Sequence, residues 1–185
     1  AALLCASYAE ALVNPETGWV AGWRSQDGEL HDYAFTWVNG AALAFGLLDA
    51  EPARNALEGL EALRDRVGPG SAQMGLPLNL LPIRAKDQML SKILDGTQPT
   101  FEAYTDGSLS GWPATYYLRA LSIHGLKDRA SKLAEELDTG YAAGIFNGGH
   151  DTGHEFRSWE GLPTGYEGTL IGCFGPLYSI AIEQG

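Results

Sequence analysis

With 185 residues, 45% of them hydrophobic and 19% charged, the chain has the length and apolar content of one globular domain with a core of its own, which excludes a disordered segment. A formal net charge of -11 without any basic block leaves a nucleic-acid backbone nothing to pair with. No apolar run reaches the ~20 residues that span a bilayer, and the opening AALLCASYAEAL lacks a basic leader region, so a soluble chain without a targeting signal or a membrane partner is expected.

In chain order, residues 1–13 read as an outer helix whose partner is missing, consistent with a chain that opens on Ala1 and is expected to lack an N-terminal segment. Residues 33–48 (YAFTWVNGAALAFGLL) are apolar almost all round, which predicts an inner helix wrapped by neighbours. Residues 51–67 carry Pro52 in a first turn, an apolar stripe of Ala53, Ala56, Leu57, Leu60 and Leu63, and charges elsewhere, which predicts a half-exposed outer helix closed by Gly68-Pro69-Gly70. Glu61 is assigned to its charged face, where substitution should change stability by no more than about 0.5 kcal/mol. The couple recurs as an inner segment at 109–124 and an amphipathic one at 127–137, and a third inner segment spans 166–182. The expected architecture is a single all-α domain over 1–185, built of inner and outer helix hairpins that form part of an (α/α) toroid. Leu43, Phe45, Leu118, Leu121, Ile171 and Ile180 are its expected core. Cys5 and Cys173 lie in apolar surroundings without a metal-ligand spacing; both read as thiols, and a disulfide stays open.

Three long connections, 14–32, 68–108 and 138–165, enter the inner segments, and parallel inner helices would bring all three to one end of the molecule. Their residues suit a saccharide: flat aromatic faces match the CH faces of a pyranose, and carboxylate, amide and guanidinium groups match its hydroxyls. The substrate-binding candidates are Trp23, Arg24, His31, Tyr104, Trp112, His154, Arg157, Trp159 and Tyr166. Cleaving a glycosidic bond needs two carboxyl groups, and the candidates are Glu160, Glu167, Glu155, Asp106 and Asp32. Glu167 opens the third inner segment, where an acid at a helix N-terminus is stabilised as the anion, and so suits a base or an acceptor for a sugar hydroxyl. Asp32 and Asp106 equally fit helix caps. His31, His150 and His154 form no HExxH pattern, so neither a metal nor another cofactor is expected.

The runs GWVAGWRSQDGELHDYAFTWVNGAALAFGL, GLPLNLLPI, FEAYTDGSLSGWPATYYLRAL and above all SWEGLPTGYEG resemble the C-terminal half of the six-hairpin glycosidases, the (α/α)6 toroid enzymes. This resemblance implies hydrolysis of a glycoside or oligosaccharide by two carboxyl groups in a central cavity, often with inversion. It also implies that about half a ring is present, so that homo-oligomer formation or a missing segment should cover the open ends. In such enzymes the triplet at 159–161 often carries Asp in place of Glu160. Two other classes fit the same residues: a non-catalytic helical-repeat binding module, and a sugar epimerase of the toroid kind.

Overall fold

The computed structural model describes residues 2–88, 101–146 and 154–167. Helix α1 (Ala2–Leu12) leads into a hairpin of β1 (Trp23–Arg24) and β2 (Leu30–His31), followed by α2 (Thr36–Ala44) and α3 (Ala50–Val67). Next come β3 (Leu76–Pro77), one turn of 3-10 helix at Ala85–Asp87, β4 (Leu109–Ser110), α4 (Ala114–Ile123) and α5 (Lys127–Ala142). The two antiparallel pairs place Trp23 opposite His31 and Leu76 opposite Ser110.

These pairs overturn the expected all-α class of inner and outer helix hairpins forming part of a toroid: among the described residues the fold mixes five helices with two small antiparallel sheets. The described parts of the long connections carry paired backbone. Their backbone groups pair at β1–β2 and β3–β4 and again at Val13 with Val20, Phe35 with Asn79, and Leu109 with Arg157. Pairing buried backbone groups satisfies donors and acceptors that a plain loop would strand away from water. Two-residue strands carry no hydrophobic period, so nothing in the residue pattern announces them.

The same pairing trims the predicted inner segments. Residues 33–35 are not helical: Ala34 is left-handed at φ 53°, and Thr36 N–H donates to Leu78 O at 3.0 Å, so α2 starts at Thr36. Leu109 and Ser110 belong to β4, and Pro113 occupies the N-cap of α4. Helix α5 runs on to Ala142, beyond the predicted end at 137. The segment expected at 166–182, with Ile171 and Ile180, falls almost wholly outside the described residues, as does Cys173.

The core is where the outer-helix stripe predicted it. Ala53, Ala56, Leu57, Leu60 and Leu63 of α3 are buried, and they pack with Leu43 of α2, Tyr117, Leu118 and Leu121 of α4, and Leu133 and Leu137 of α5. Glu51 in the first turn of α3 and Arg64 and Arg66 in its last turn complement the helix dipole. Helices α2 and α4 make the closest approach, because a Cβ at Gly40 would lie 2.8 Å from the Tyr117 backbone nitrogen. Phe45, expected in the core, is 68% exposed. Helix α2 has already ended at Ala44, and the Phe45 ring turns outward to meet Tyr116 at 5.6 Å.

Glu61 also departs from expectation, being 2% exposed. Its Oε1 accepts from the Tyr117 hydroxyl at 3.0 Å and its Oε2 from Arg64 at 2.8 Å, while Arg129 lies 3.6 Å away. This carboxylate ties α3 to α4 and α5 from inside.

Candidate functional site

An aromatic wall grows out of the first hairpin. Across the β1–β2 register the Trp23 and His31 rings stack at 4.6 Å and 8°. Trp23 then meets Phe35 at 6.2 Å, Phe35 meets Trp37 at 6.5 Å, and Trp37 meets Trp112 at 5.5 Å. Around the left-handed Ala34 and the start of α2, Tyr33, Phe35 and Trp37 come into ring contact with one another or with Trp23. Trp23, Phe35, Trp37 and Trp112, with Leu78 and Ile83, line a cleft of about 230 Å³ whose polar positions are Asp87, Gln88, Thr105 and Asp106.

Asp106 is 2% exposed and closes a tight turn, its N–H donating to Ala103 O at 3.1 Å. Oδ1 accepts from Asn79 Nδ2 at 2.8 Å and from the Ile83 N–H at 3.2 Å, and Oδ2 accepts from Gln88 Nε2 at 3.0 Å. Asn79 is itself fixed by the Gly107 N–H, which donates to its Oδ1 at 2.8 Å. The chain reaches this carboxylate through two left-handed non-glycine residues, Glu102 at φ 69° and Tyr104 at φ 51°. Such backbone strain persists only where surrounding structure holds it, and it collects at functional sites.

Asp87 lies in the 3-10 turn, where Tyr33 Oη and Arg84 Nε donate to its Oδ2 and His31 Nδ1 stands 3.2 Å away. Burial works against its charge, but the hydrogen bonds from Tyr33, Arg84 and His31 hold its carboxyl below the usual carboxylate range. Burial first, and Asp87 second, push the Tyr33 phenol above its ordinary value. The other ring nitrogen of His31 sits 3.0 Å from Ser25 Oγ, so this buried imidazole is engaged on both edges.

Of the residues predicted from sequence, Trp23, Trp112 and Asp106 line this cleft, and His31 backs it through Trp23. Asp32 does not line it. Its oxygens accept from Asn14 Nδ2 at 3.0 Å, Thr17 Oγ1 at 2.8 Å and the Ala34 N–H at 3.1 Å, which pins the 14–20 turn and supports the left-handed Ala34. Asp32→Ala should therefore cost about 2 kcal/mol in urea unfolding and leave ligand binding at the cleft unchanged. Arg24 donates to Ala11 O at 2.7 Å and to Glu10 O at 3.5 Å, covering free carbonyls at the end of α1.

The remaining candidates form a second group around residues 154–167, outside the cleft lining. Arg157 exchanges backbone bonds with Leu109 at 2.7 and 3.0 Å, so this segment extends the β4 edge, and burial lowers the pKa of its guanidinium. Trp159 donates its indole N–H to Gly107 O at 2.6 Å and its backbone N–H to Glu102 Oε2 at 3.0 Å, bracing the Asp106 turn. Tyr104 meets Phe156 at 5.2 Å and Tyr166 at 6.3 Å edge-on, and burial, then the charge of Glu155, raises its pKa. His154 is bridged to Glu167 through the backbone, and Glu155 Oε2 and His154 Nδ1 are buried without a hydrogen-bond partner among the described residues. Glu160 is exposed in the turn closed by Gly161 N–H to Ser158 O at 2.9 Å. His150, Asp151 and Asn147 lie outside the described residues.

Sequence reasoning missed Asp87, Gln88, Asn79, Phe35 and Trp37 as site residues. The aromatic cluster Tyr33, Phe35 and Trp37 was the available signal, hidden by taking residues 33–35 into the helix. Among the described residues no group of three or more His, Cys, Asp or Glu is placed to hold a metal ion, and no helix is long and apolar enough to cross a membrane. Comparison with protein families returns no matching family, and comparison with curated proteins returns no match.

Proposed function

We propose that the chain is a glycoside hydrolase-like protein that takes a saccharide into the aromatic cleft. The observation that carries this reading is the meeting of three indole rings, Trp23, Trp37 and Trp112, with the carboxylates of Asp87 and Asp106 in one cleft of about 230 Å³. Indole faces supply dispersion to the CH faces of a sugar ring, and carboxylate and amide groups fix its hydroxyls. Asp106 Oδ2, with Gln88 as its one donor among the described residues, keeps a lone pair for a sugar hydroxyl or an attacking water. Asp87 is held as the anion, the state that a base or a stabiliser of developing positive charge requires. The sequence resemblance to six-hairpin glycosidases supports the reading, since three of the four resembling runs contribute the cleft walls: 18–47, 75–83 and 101–121.

The test is a titration of defined oligosaccharides followed by tryptophan fluorescence, with chromatography of any products. A saccharide that binds should change the indole emission, and Trp112→Ala should weaken it about tenfold or more, roughly 1.4 kcal/mol. On a glycan that is cleaved, Asp106→Asn should slow turnover by about 100-fold or more. Binding without products would make the chain a sugar-binding protein, and a panel that neither binds nor is cleaved would end the saccharide reading.

A further inference from the structure

The charge on the described lining of the cleft is one-sided: among the described residues no lysine or arginine lines it, and both of its ionisable groups are carboxylates. Asp87 has a counter-ion, because Arg84 approaches it at 2.8 Å. Asp106 does not. Its donors are the side-chain amides of Asn79 and Gln88 and the backbone N–H of Ile83, all neutral, and no cation pairs with it among the described residues. A carboxylate that is 2% exposed and lacks a counter-ion attracts a cation far more strongly than one in water. The surrounding indole faces act in the same direction, since the quadrupole of each ring presents negative potential to a charge above it.

From these two features we infer that the occupant of the cleft carries a positive charge, and, resting on the saccharide reading, that it is an amino sugar with a free ammonium group. The ammonium sits against Asp106 and the indoles, and the neutral hydroxyls meet Gln88 and Thr105. An N-acetylated unit offers no charge. A uronate or sulfated unit meets repulsion from Asp106, Asp87 and a chain of net charge -11.

The experiment is calorimetric titration of the full chain with three trisaccharides of one linkage, the β-1,4 trimers of glucosamine, N-acetylglucosamine and glucose, and with tetramethylammonium. The glucosamine trimer should bind about tenfold tighter than either neutral trimer. That preference should fall below about threefold in Asp106→Asn, which keeps the shape of the side chain while removing its charge. In the parent protein it should also vanish as the ligand amine loses its proton. His31 behind Trp23, and Tyr33, Arg84 and Asp87 beside it, are the protein groups that face the cleft's other wall, so the glucose trimer is titrated over the same pH series to remove their contribution. Should Asp106→Asn fail to fold, this series in the parent decides. Equal binding of the three trimers overturns the charge inference and leaves the saccharide reading standing. Binding of tetramethylammonium alone removes the saccharide reading, and the amino sugar with it, while leaving the charge inference standing; binding of no ligand at all removes both. A glucosamine preference undiminished in Asp106→Asn overturns the assignment to Asp106.

Discussion

Glu61→Ala is expected to lower the unfolding free energy by about 3 kcal/mol or more, the cost of removing one partner from a buried charge network. The substitution strands the hydroxyl of Tyr117, which is fully buried, and the guanidinium of Arg64, whose side chain is 11% exposed. Arg129 suffers less, because it keeps Asp65 at 2.9 and 2.6 Å. Tyr117→Phe, which removes only the donor, should cost about 1 to 2 kcal/mol, and the double variant should cost less than the sum of the two. A pH signature follows from the same geometry. Burial and the charge of Glu61 hold the Tyr117 phenol well above its ordinary value of 10.0, so above that pH the unfolded chain gives up a proton that the folded one keeps. Stability therefore declines as the pH rises past about 10, and Tyr117→Phe should remove that share of the decline. Urea unfolding at neutral and alkaline pH measures both effects. A loss of 0.5 kcal/mol or less for Glu61→Ala, as for an exposed helix residue, would mean that the network contributes nothing.

Glu61 also shows what the sequence could and could not disclose. Helical arithmetic places it four residues after Leu57, on the edge of the buried stripe, and its charge alone assigned it to solvent. The stripe itself was legible because Ala53, Leu57, Leu60 and Leu63 repeat with the helical period, and a neighbour that could hydrogen-bond a buried glutamate was not, since Tyr117 lies 56 residues away in sequence. The same distinction runs through the site. Trp23 and Asp106 were legible as an aromatic and an acidic residue in connections that had to serve some purpose, and Trp112 as an aromatic near the start of the inner segment 109–124. Asp87 was not, because its character comes from Arg84 one turn before it and from Tyr33 and His31, more than 50 residues earlier in the sequence. The β3–β4 pair, which joins Leu76 to Ser110 across more than 30 positions, is a tertiary event with no local pattern, and with the short β1–β2 hairpin it turned an expected helical array into a mixed fold.

Gly75→Ala should be the most damaging small substitution near the cleft, costing about 3 kcal/mol and abolishing ligand binding, whereas Gly70→Ala in the same connection should stay within about 0.5 kcal/mol of the parent. Gly75 has φ +100°, a conformation that side chains rarely adopt, and a Cβ there would stand 2.2 Å from Ser110 O and 2.3 Å from its carbonyl carbon. Those are backbone atoms of β4, so relief requires β3 and β4 to separate rather than a side chain to rotate. Strand β3 leads directly into Leu78 and Asn79, and β4 into Trp112, which means that one displaced pair moves both a wall of the cleft and a holder of Asp106. Gly70 has open space around its Cβ position, so its methyl group meets no obstacle. Urea unfolding of the two variants, followed by tryptophan emission and by circular dichroism, separates local from global loss. If Gly75→Ala unfolds at the parent midpoint and binds as the parent does, the close approach of β3 to β4 does not hold the cleft, and Trp112 must be positioned by α4 alone.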